Sequence, residues 1–337
     1  MVAALRSLAP HPQHTLQLLL RPTLYRCVSC QLLKPTQQLF SCPPRQSPSA
    51  TMEALFAQAM KETGVLRKTS VPWNLDEPHH QSYHAFDTAT SSWISKVPST
   101  TDAGQNVEGS DGITAIALYT WNIDFMLPFA EARMKPALAY LDGLLSSLPT
   151  TTAPVVFLQE CTPSDLTTIA ATPWVRSHFH LTDIDHTNWA TKHYGTVVLI
   201  DARLPITATF RVHYSKTRMD RDAHFVDLSI GDDGKKVRLC NSHLESMALD
   251  PPFRPPQMQL IAGYLYEESV HAALAAGDFN AIQPFDRTLH ADNNLKDAGA
   301  SKRRRSSGSG LAVPGWTRFI SAAMSSCADS RGSGRMS

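Results

Sequence analysis

The sequence predicts an α/β sandwich built on mixed β-sheets, and three observations support this fold class. Four apolar runs are typical of buried strands, at residues 113–119, 154–158, 237–240 and 272–276. Segments with helical spacing of apolar residues follow or precede three of these runs. The middle of the chain holds four strand-like segments in succession. The resulting order of strand, helix, strand, helix, four strands, helix and strand favours mixed sheets over a strictly alternating doubly wound fold.

The first elements in chain order are a short helix over 52–64 and two short segments, 83–86 and 93–94, that form an outer hairpin or cover the core. Strand 113–122 then leads into a helix over 130–148, where leucines recur at helical spacing. A buried strand over 154–160 precedes a helix over 163–171, whose proline at the first position is typical of a helix start.

The remaining elements are mostly strands. They are expected at 194–200, 210–214, 225–230 and 237–240. Residues 232–234 read Asp-Asp-Gly, a hairpin turn signal between the last two of these strands. A long helix over 257–273 then leads into a final strand at 274–277. No strand is predicted after residue 297, where basic and Ser/Gly-rich sequence begins.

Composition excludes some classes of protein. A chain of 337 residues with 42% hydrophobic content can bury a large core. The formal net charge of +1 gives no overall signature of a polyanion partner, so a nucleic-acid contact requires a local patch. Six scattered cysteines do not form a disulfide framework, and Cys27 and Cys30 are only a weak zinc signal. No apolar run approaches the roughly 18 residues of a membrane span, so no membrane partner is expected.

These patterns divide the chain into four regions. Residues 1–52 contain no Asp or Glu but several Arg, which is typical of a mitochondrial presequence or of a disordered leader. Residues 53–112 are expected to supply a helix, a linker and an outer segment. Residues 113–298 form the predicted catalytic domain. Residues 299–337 are expected to be a disordered tail, whose basic run at 302–305 is a nuclear-import signal or an incidental feature.

Each of the four apolar runs ends in polar residues that can carry chemistry. Asp278 and Asn280 follow the last run and are two residues apart, so on a strand they share a face. Asp can deprotonate a water and Asn can hydrogen-bond an oxyanion, although both are also ordinary turn residues. Glu160 ends a fully apolar run, where a carboxylate is costly unless it is paired or binds a cation such as Mg²⁺.

The other two runs end in a similar way. Asn122 and Asp124 also share a face and can support a metal or a phosphate. His243 alternates with Asn241 and Glu245, and its ring can donate to a phosphoryl oxygen. A lone histidine is more often structural, but this one accompanies three other polar clusters.

The motifs TWNID (120–124), FLQE (157–160), SHLES (242–246) and GDFN (277–280) occur in the order seen in the endonuclease/exonuclease/phosphatase superfamily. The TWNID and SHLES forms resemble its 5′-tyrosyl-DNA phosphodiesterase branch over about residues 113–297. The resemblance implies a four-layer α/β sandwich, in which two mixed sheets are flanked by helices and the C-terminal end is incomplete.

The resemblance also implies roles for individual residues. Glu160 would hold Mg²⁺, or Mn²⁺ in its place, with Asp124 and Asn122 supporting the metal and the phosphate. Asp278 would activate the attacking water. The phosphorane would be stabilised by Asn280 and His243.

Substrate contacts are implied in the same way. Tyr194 would lie against the DNA 5′ end, and Ser246 would help to hold it. The expected partners are DNA 5′ ends, single-stranded DNA and tyrosine-linked topoisomerase adducts. Such a repair activity would favour the nucleus, while the leader favours mitochondria. Other substrates within the superfamily (RNA, phosphoinositide or sphingomyelin) and an inactive, truncated product stay open as alternatives.

Two departures from the family pattern bear on activity. Ile282 stands where the branch usually has an Arg that contacts substrate. The D-R-I-like strand and the S-D-H motif that end the superfamily pattern are not found. We therefore expect a truncated or mis-spliced reading of a normal gene, or a degraded paralogue, with an exposed sheet edge and weak or absent catalysis.

Overall fold

A computed structural model of the protein describes residues 17–20, 68, 70–99, 112–126, 129–230, 234–298 and 317–323, and for 17–20 and 317–323 it describes the backbone alone. The predicted helix over 52–64, the Cys27/Cys30 pair and the basic run at 302–305 lie outside this part of the chain. No helix among the described residues is both long enough and apolar enough to cross a membrane.

The described strands pair into two sheets of seven strands, and each sheet contains both parallel and antiparallel neighbours, as the sequence predicts. The strands of the first sheet, in their order across it, are β1 (Gln17–Leu20), β5 (Ala115–Asn122), β6 (Thr152–Cys161), β8 (Gly195–Asp201), β7 (Phe179–Leu181), β3 (Tyr83–Asp87) and β4 (Ser92–Lys96). Those of the second sheet are β13 (Lys296–Asp297), β14 (Thr317–Ala323), β12 (Ala272–Asp278), β11 (Lys235–His243), β10 (Asp222–Ile230), β9 (Ile206–His213) and β2 (Pro78–His80).

The helices lie outside the two sheets. They are α1 (Ala130–Leu145), α2 (Pro163–Ala171), α3 (Pro173–His178), α4 (Arg254–Leu265) and α5 (Leu289–Asp292), with a 3-10 turn at Pro284–Arg287. The first three pack on the outer face of the first sheet, and α4 packs on the outer face of the second. The layers are therefore helix, sheet, sheet and helix.

The alternation of side chains along β5 shows how this layering arises. Ile116 and Leu118 belong to the core between the two sheets, whereas Ala117 and Tyr119 face the helices of the first sheet. A strand presents successive side chains to opposite faces, so an uninterrupted apolar run produces a strand buried on both sides. The continuous runs in the sequence therefore correspond to central strands of a layered fold.

The expected boundary between the last long helix and the strand that follows it is wrong. The helix predicted over 257–273 begins at Arg254 and ends at Leu265, and residues 272–278 form β12. The alanines in 272–276 have a high helix propensity, but parallel pairing with β11 and burial of the segment outweigh this propensity.

The segments 83–86 and 93–94 form the expected hairpin, in which β3 pairs with β4.

The expectation that no strand follows residue 297 is also wrong. Thr317–Ala323 forms β14, which pairs antiparallel with β12 from Asp278 to Ala272. In the same way, β1 lies within the region expected to be a disordered leader and pairs with β5. The edge of β12 offers a row of backbone N–H and C=O groups, which a neighbouring strand satisfies even when its own apolar pattern is weak. The predicted exposed edge at β12 is thus covered.

Candidate active site

Four strand ends meet at one edge of the two sheets. β5 and β6 are parallel neighbours in the first sheet, and their last residues place Asn122 beside Gln159. β11 and β12 are parallel neighbours in the second sheet, and their last residues place His243 beside Asp278. Parallel pairing brings carboxyl ends together, so the polar residues that follow each apolar run converge.

The His243 ring lies between two carboxylates, one from each sheet. Its Nδ1 is 3.7 Å from Glu160 Oε1, and its Nε2 is 3.8 Å from Asp278 Oδ2. The structure thus brings together the three groups that the sequence predicts at one centre. Because Glu160 belongs to the first sheet and Asp278 to the second, the centre bridges the inner faces of the sandwich.

Asp278 is held in one orientation by two hydrogen bonds. Asn122 Nδ2 donates to Asp278 Oδ2 at 2.9 Å, and the backbone N–H of Asn280 donates to Oδ1 at 3.1 Å. The preceding Gly277 has a φ of +149°, and a Cβ at this position would lie 1.8 Å from the carbonyl oxygen of Ser242. Only glycine permits this close approach of β12 to β11.

Arg221 determines the proton arrangement of the His243 ring. Arg221 Nη1 lies 2.8 Å from His243 Nδ1, and since a guanidinium can only donate, Nδ1 must accept. The ring proton is then on Nε2, which faces Asp278. Burial, reinforced by the charge of Arg221, holds the pKa of His243 well below its usual value, so the ring is neutral.

Glu160 is turned toward the centre by an irregularity in β6. The register with β8 shifts between Leu158 and Cys161, and Glu160 has a φ of +59° in the left-handed region. Its Oε2 accepts from the backbone N–H of Phe125 at 3.2 Å, and its Oε1 is 3.6 Å from Arg221 Nη2. Burial raises the pKa of Glu160. Arg221 opposes this rise, whereas the Asp124 and Asp278 carboxylates add to it.

The donor set fits a hard divalent cation that keeps most of its waters. Among the described residues, no group of three or more His, Cys, Asp or Glu side chains is arranged to hold a metal. Mg²⁺, however, is commonly bound by one or two carboxylates together with waters and substrate oxygens. Glu160 is buried near two other carboxylates, so a nearby cation would relieve both its desolvation and the repulsion. Glu160 is therefore the candidate ligand.

Two predicted residues make contacts other than those expected. Asp124 is exposed, and its Oδ1 accepts from the backbone N–H of Met126 at 3.1 Å, so this carboxylate shapes its own loop. Asn280 donates from Nδ2 to the carbonyl of Leu244 at 2.9 Å. The roles of Asp124 at a metal and of Asn280 at a phosphorane remain predictions.

Two of the predicted substrate-contacting residues, Tyr194 and Ser246, have their hydroxyl groups engaged within the protein. Tyr194 is only 3% exposed, its hydroxyl donates to the carbonyl of Met219 at 2.7 Å, and burial raises its pKa to about 12. The half-buried ring of Phe125 stacks on it at 4.3 Å between centroids. Ser246 Oγ is 2.8 Å from Met219 Sδ. Contact of Tyr194 or Ser246 with DNA remains a prediction, and Phe125 is the more accessible ring.

Sequence reasoning missed Arg221 and the polar link beneath the centre. Gln159 Nε2 donates across the sheets to Asn241 Oδ1 at 2.7 Å, and Asn241 Nδ2 donates to the carbonyls of Leu158 and Val197. Asn241 lies two residues before His243, so its inward direction could be read from the alternation. Arg221 follows a turn and carries no motif signal. At the position of the expected Arg, Ile282 is 55% exposed.

The model of the Endonuclease/Exonuclease/phosphatase family matches residues 119–329. No curated protein sequence matches the chain.

Similar solved structures include three TDP2 structures. TDP2 of D. rerio humanized by 14 mutations has a TM-score of 0.47 and 16% identity, covering 60% of this chain and 80% of that chain. D. rerio TDP2 complexed with single-strand DNA product has a TM-score of 0.46 and 18% identity, with 60% and 82% coverage. TDP2 of C. elegans has a TM-score of 0.43 and 20% identity, with 61% and 64% coverage.

Proposed function

Because this chain belongs to the Endonuclease/Exonuclease/phosphatase family, whose members hydrolyse phosphoester bonds, we propose that it is a phosphodiesterase acting on 5′-phosphotyrosyl-DNA bonds. The observation that carries the proposal is the placement of His243 between the Glu160 and Asp278 carboxylates at the edge shared by both sheets. The TWNID and SHLES motifs favour DNA 5′ ends and tyrosine-linked adducts as substrates. A repair role follows, in the nucleus or, given the acid-poor leader, in mitochondria.

Asp278 is the proposed general base. Its two oxygens are already oriented by Asn122 and by the Asn280 backbone, which leaves lone pairs free to accept a proton from an attacking water. Asp278 takes a proton from the water, whose oxygen forms a bond to phosphorus as the phosphorus–tyrosine oxygen bond breaks. The tyrosine leaves as a phenolate, which takes a proton from solvent, and a 5′-phosphate remains on the DNA. Glu160 would hold Mg²⁺ or Mn²⁺, which when bound would supply positive charge to stabilise the phosphoryl group.

His243 is the proposed donor to the phosphoryl group. Its neutral ring carries the proton on Nε2, directed to the side where Asp278 lies, and it can donate one hydrogen bond as negative charge develops. Arg221 fixes this tautomer. Arg221 also adds a buried positive charge that is 4% exposed and therefore little screened by water.

The test is hydrolysis of an oligonucleotide with a 5′-phosphotyrosine, in Mg²⁺, in Mn²⁺ and with chelator. We expect release of a 5′-phosphate that requires the metal. Glu160→Gln and Asp278→Asn should each reduce the rate at least ~100-fold, because each removes a charge at the centre. Glu268→Gln, an exposed carboxylate away from the centre, is the matched control and should leave the rate unchanged.

Other outcomes would replace or overturn the proposal. Hydrolysis of RNA, an inositol phosphate or sphingomyelin in place of the DNA substrate would transfer the same chemistry to that substrate. A folded protein that hydrolyses none of these would show that the assembled residues are inactive in this chain.

A further inference from the structure

Arg254, the first residue of α4, is a buried guanidinium that bonds two of the loops forming the candidate active site. It is 1% exposed. Its Nη1 donates to the carbonyls of Glu245 at 2.9 Å and Met247 at 3.0 Å, which lie in the loop that follows His243. Its Nε and Nη2 donate to the two carboxylate oxygens of Asp286 at 2.8 and 2.9 Å, in the segment that follows Asp278. The rigid fork of one side chain therefore spans both loops.

Asp286 connects Arg254 to the segment that follows Asp278. Its Oδ2 also accepts from the backbone N–H of Gln283 at 2.7 Å, so the carboxylate closes the turn that leads away from β12. Closer to the centre the two loops are joined directly. The backbone N–H of Leu244 donates to the carbonyl of Asp278 at 3.0 Å, and Asn280 donates back to the Leu244 carbonyl. Arg254 thus secures from outside a pair of loops that meet at the reacting groups.

Gln257, one turn further along α4, extends the restraint to a third loop. Its Oε1 accepts from the backbone N–H of Glu245 at 2.9 Å, and its Nε2 donates to the carbonyl of Lys216 at 2.7 Å. The Glu245 carboxylate accepts from the backbone N–H of Arg218 at 2.8 Å. This third loop ends at Arg221, the partner of His243.

We infer that Arg254 is a positioning residue, which holds together the loops that follow His243 and Asp278 without touching a reacting atom. A guanidinium can bond two carbonyls and a carboxylate at once, whereas a lysine ammonium is a point donor that cannot reproduce the fork. The expected change in kcat rests on the proposed function. The expected change in the mobility of the two loops rests only on the contacts of Arg254.

The test compares Arg254→Lys with Arg203→Lys. Arg203 matches Arg254 in its partners, because it donates to both carboxylate oxygens of Asp201 and to the carbonyls of Thr150 and Thr152, while its side chain is 30% exposed. These lie near the beginning of β6, the opposite end of that strand from Glu160. Both variants should lower the melting temperature, but only Arg254→Lys should lower kcat, by roughly 10- to 100-fold with KM changed less than about threefold, since misplacement affects the reaction more than binding.

Hydrogen exchange of the ligand-free protein supplies the structural readout. In Arg254→Lys the amides of residues 244–247 and 280–286 should exchange at least about tenfold faster, with protection of the β-sheet core unchanged. Asp286→Asn, which keeps the size of the side chain but removes its charge, should give the same pattern and decides the matter if Arg254→Lys does not fold. Unchanged exchange in these loops and an unchanged kcat would overturn the inference. If the wild-type protein hydrolyses no substrate, the proposed function fails and exchange alone decides the inference.

Discussion

At Gly277 the structure excludes any side chain unless the backbone moves. A Cβ would approach the Ser242 carbonyl oxygen to 1.8 Å, and the φ of +149° is one that other residues rarely adopt. We expect Gly277→Ala to reduce the free energy of unfolding by more than about 3 kcal/mol, because backbone must move in two central strands. Urea unfolding followed by circular dichroism measures the change.

The matched control for that substitution is Gly143→Ala. Gly143 lies in α1, and a Cβ there would meet no atom within 4 Å. Alanine should stabilise this helix by about 0.5–1 kcal/mol, since glycine loses more backbone entropy on folding. Equal effects of the two substitutions would contradict the close approach of β12 to β11.

Some residues of the candidate site can be predicted from the sequence, and others cannot. Glu160, His243 and Asp278 were predictable because each lies within three residues of the end of an apolar run, and parallel strands bring such residues to one edge. Arg221 was not predictable, because its position depends on the conformation of the loop between β9 and β10, which no local sequence pattern indicates. The burial of Tyr194 was not predictable either, since Phe125 covers it from a distant part of the chain.

Between the secondary-structure elements, the polar link from Gln159 to Asn241 joins the two sheets inside an otherwise apolar layer. Both side chains are at most 1% exposed. Asn241→Ala would remove one of the two acceptors of the Gln159 amide, leaving the Thr120 hydroxyl as the other, and would remove the side-chain donor to the carbonyls of Leu158 and Val197. We expect a loss of about 2–4 kcal/mol in the free energy of unfolding, because the loss of hydrogen bonds at buried polar groups is costly.

Asn293→Ala is the control for this prediction. Asn293 makes a single bond, to the carbonyl of Leu289 within one local turn. Its removal should cost at most about 1 kcal/mol in the same chemical denaturation experiment. If Asn241→Ala were as mild as Asn293→Ala, the cross-sheet link would not be a stabilising contact.

The pairing of β12 with β14 predicts the effect of shortening the chain. A chain ending at Ala298 would expose the backbone edge of β12, which is otherwise paired over its full length. We expect this form to melt at a lower temperature and to aggregate faster than a chain ending at Ala323, because an unprotected edge strand pairs with other chains. Differential scanning calorimetry and light scattering compare the two. Identical behaviour would show that β14 contributes nothing to the sheet.

The same strands define what the sequence could predict of the fold. β5, β6 and β8 to β12 were predictable because their apolar runs reflect burial. The helix boundary near Leu265 and the strand at 317–323 were not, since the alanine run has helical propensity and β14 is specified by the edge it covers. Local pattern predicts the central strands well, and long-range pairing decides the rest.

Across the protein as a whole, buried neutral histidines predict sensitivity to acid. His213 and His224 are at most 1% exposed, and burial followed by the charge of Arg211 lowers the pKa of His213 to about 2 and that of His224 well below its usual value. Other groups that face them are Asp222, 3.9 Å from His213 Nδ1, and the Thr209 hydroxyl, 3.5 Å from His224 Nε2. Both rings therefore stay neutral in the folded protein.

The sign of the pH effect follows from proton binding. The unfolded chain takes up protons at these histidines below about pH 6.5 and the folded protein does not, so stability is retained above that value and lost as the pH falls. At pH 5 His213 should cost about 2 kcal/mol, and His224 should add to this loss in the same direction. Urea unfolding at pH 7.5 and 5.0 measures this loss, and His224→Gln should reduce the difference. A free energy of unfolding that is equal at both values would refute the prediction.

The division of the reacting groups between the two sheets has a consequence during translation. Glu160 leaves the ribosome long before Asp278, which arrives at the end of one of the last central strands. A nascent chain therefore carries only part of the centre until the residues up to Asp278 have emerged. The three groups can meet only after most of the chain has been synthesised, so the order of the strands along the chain determines how late in translation the site can form.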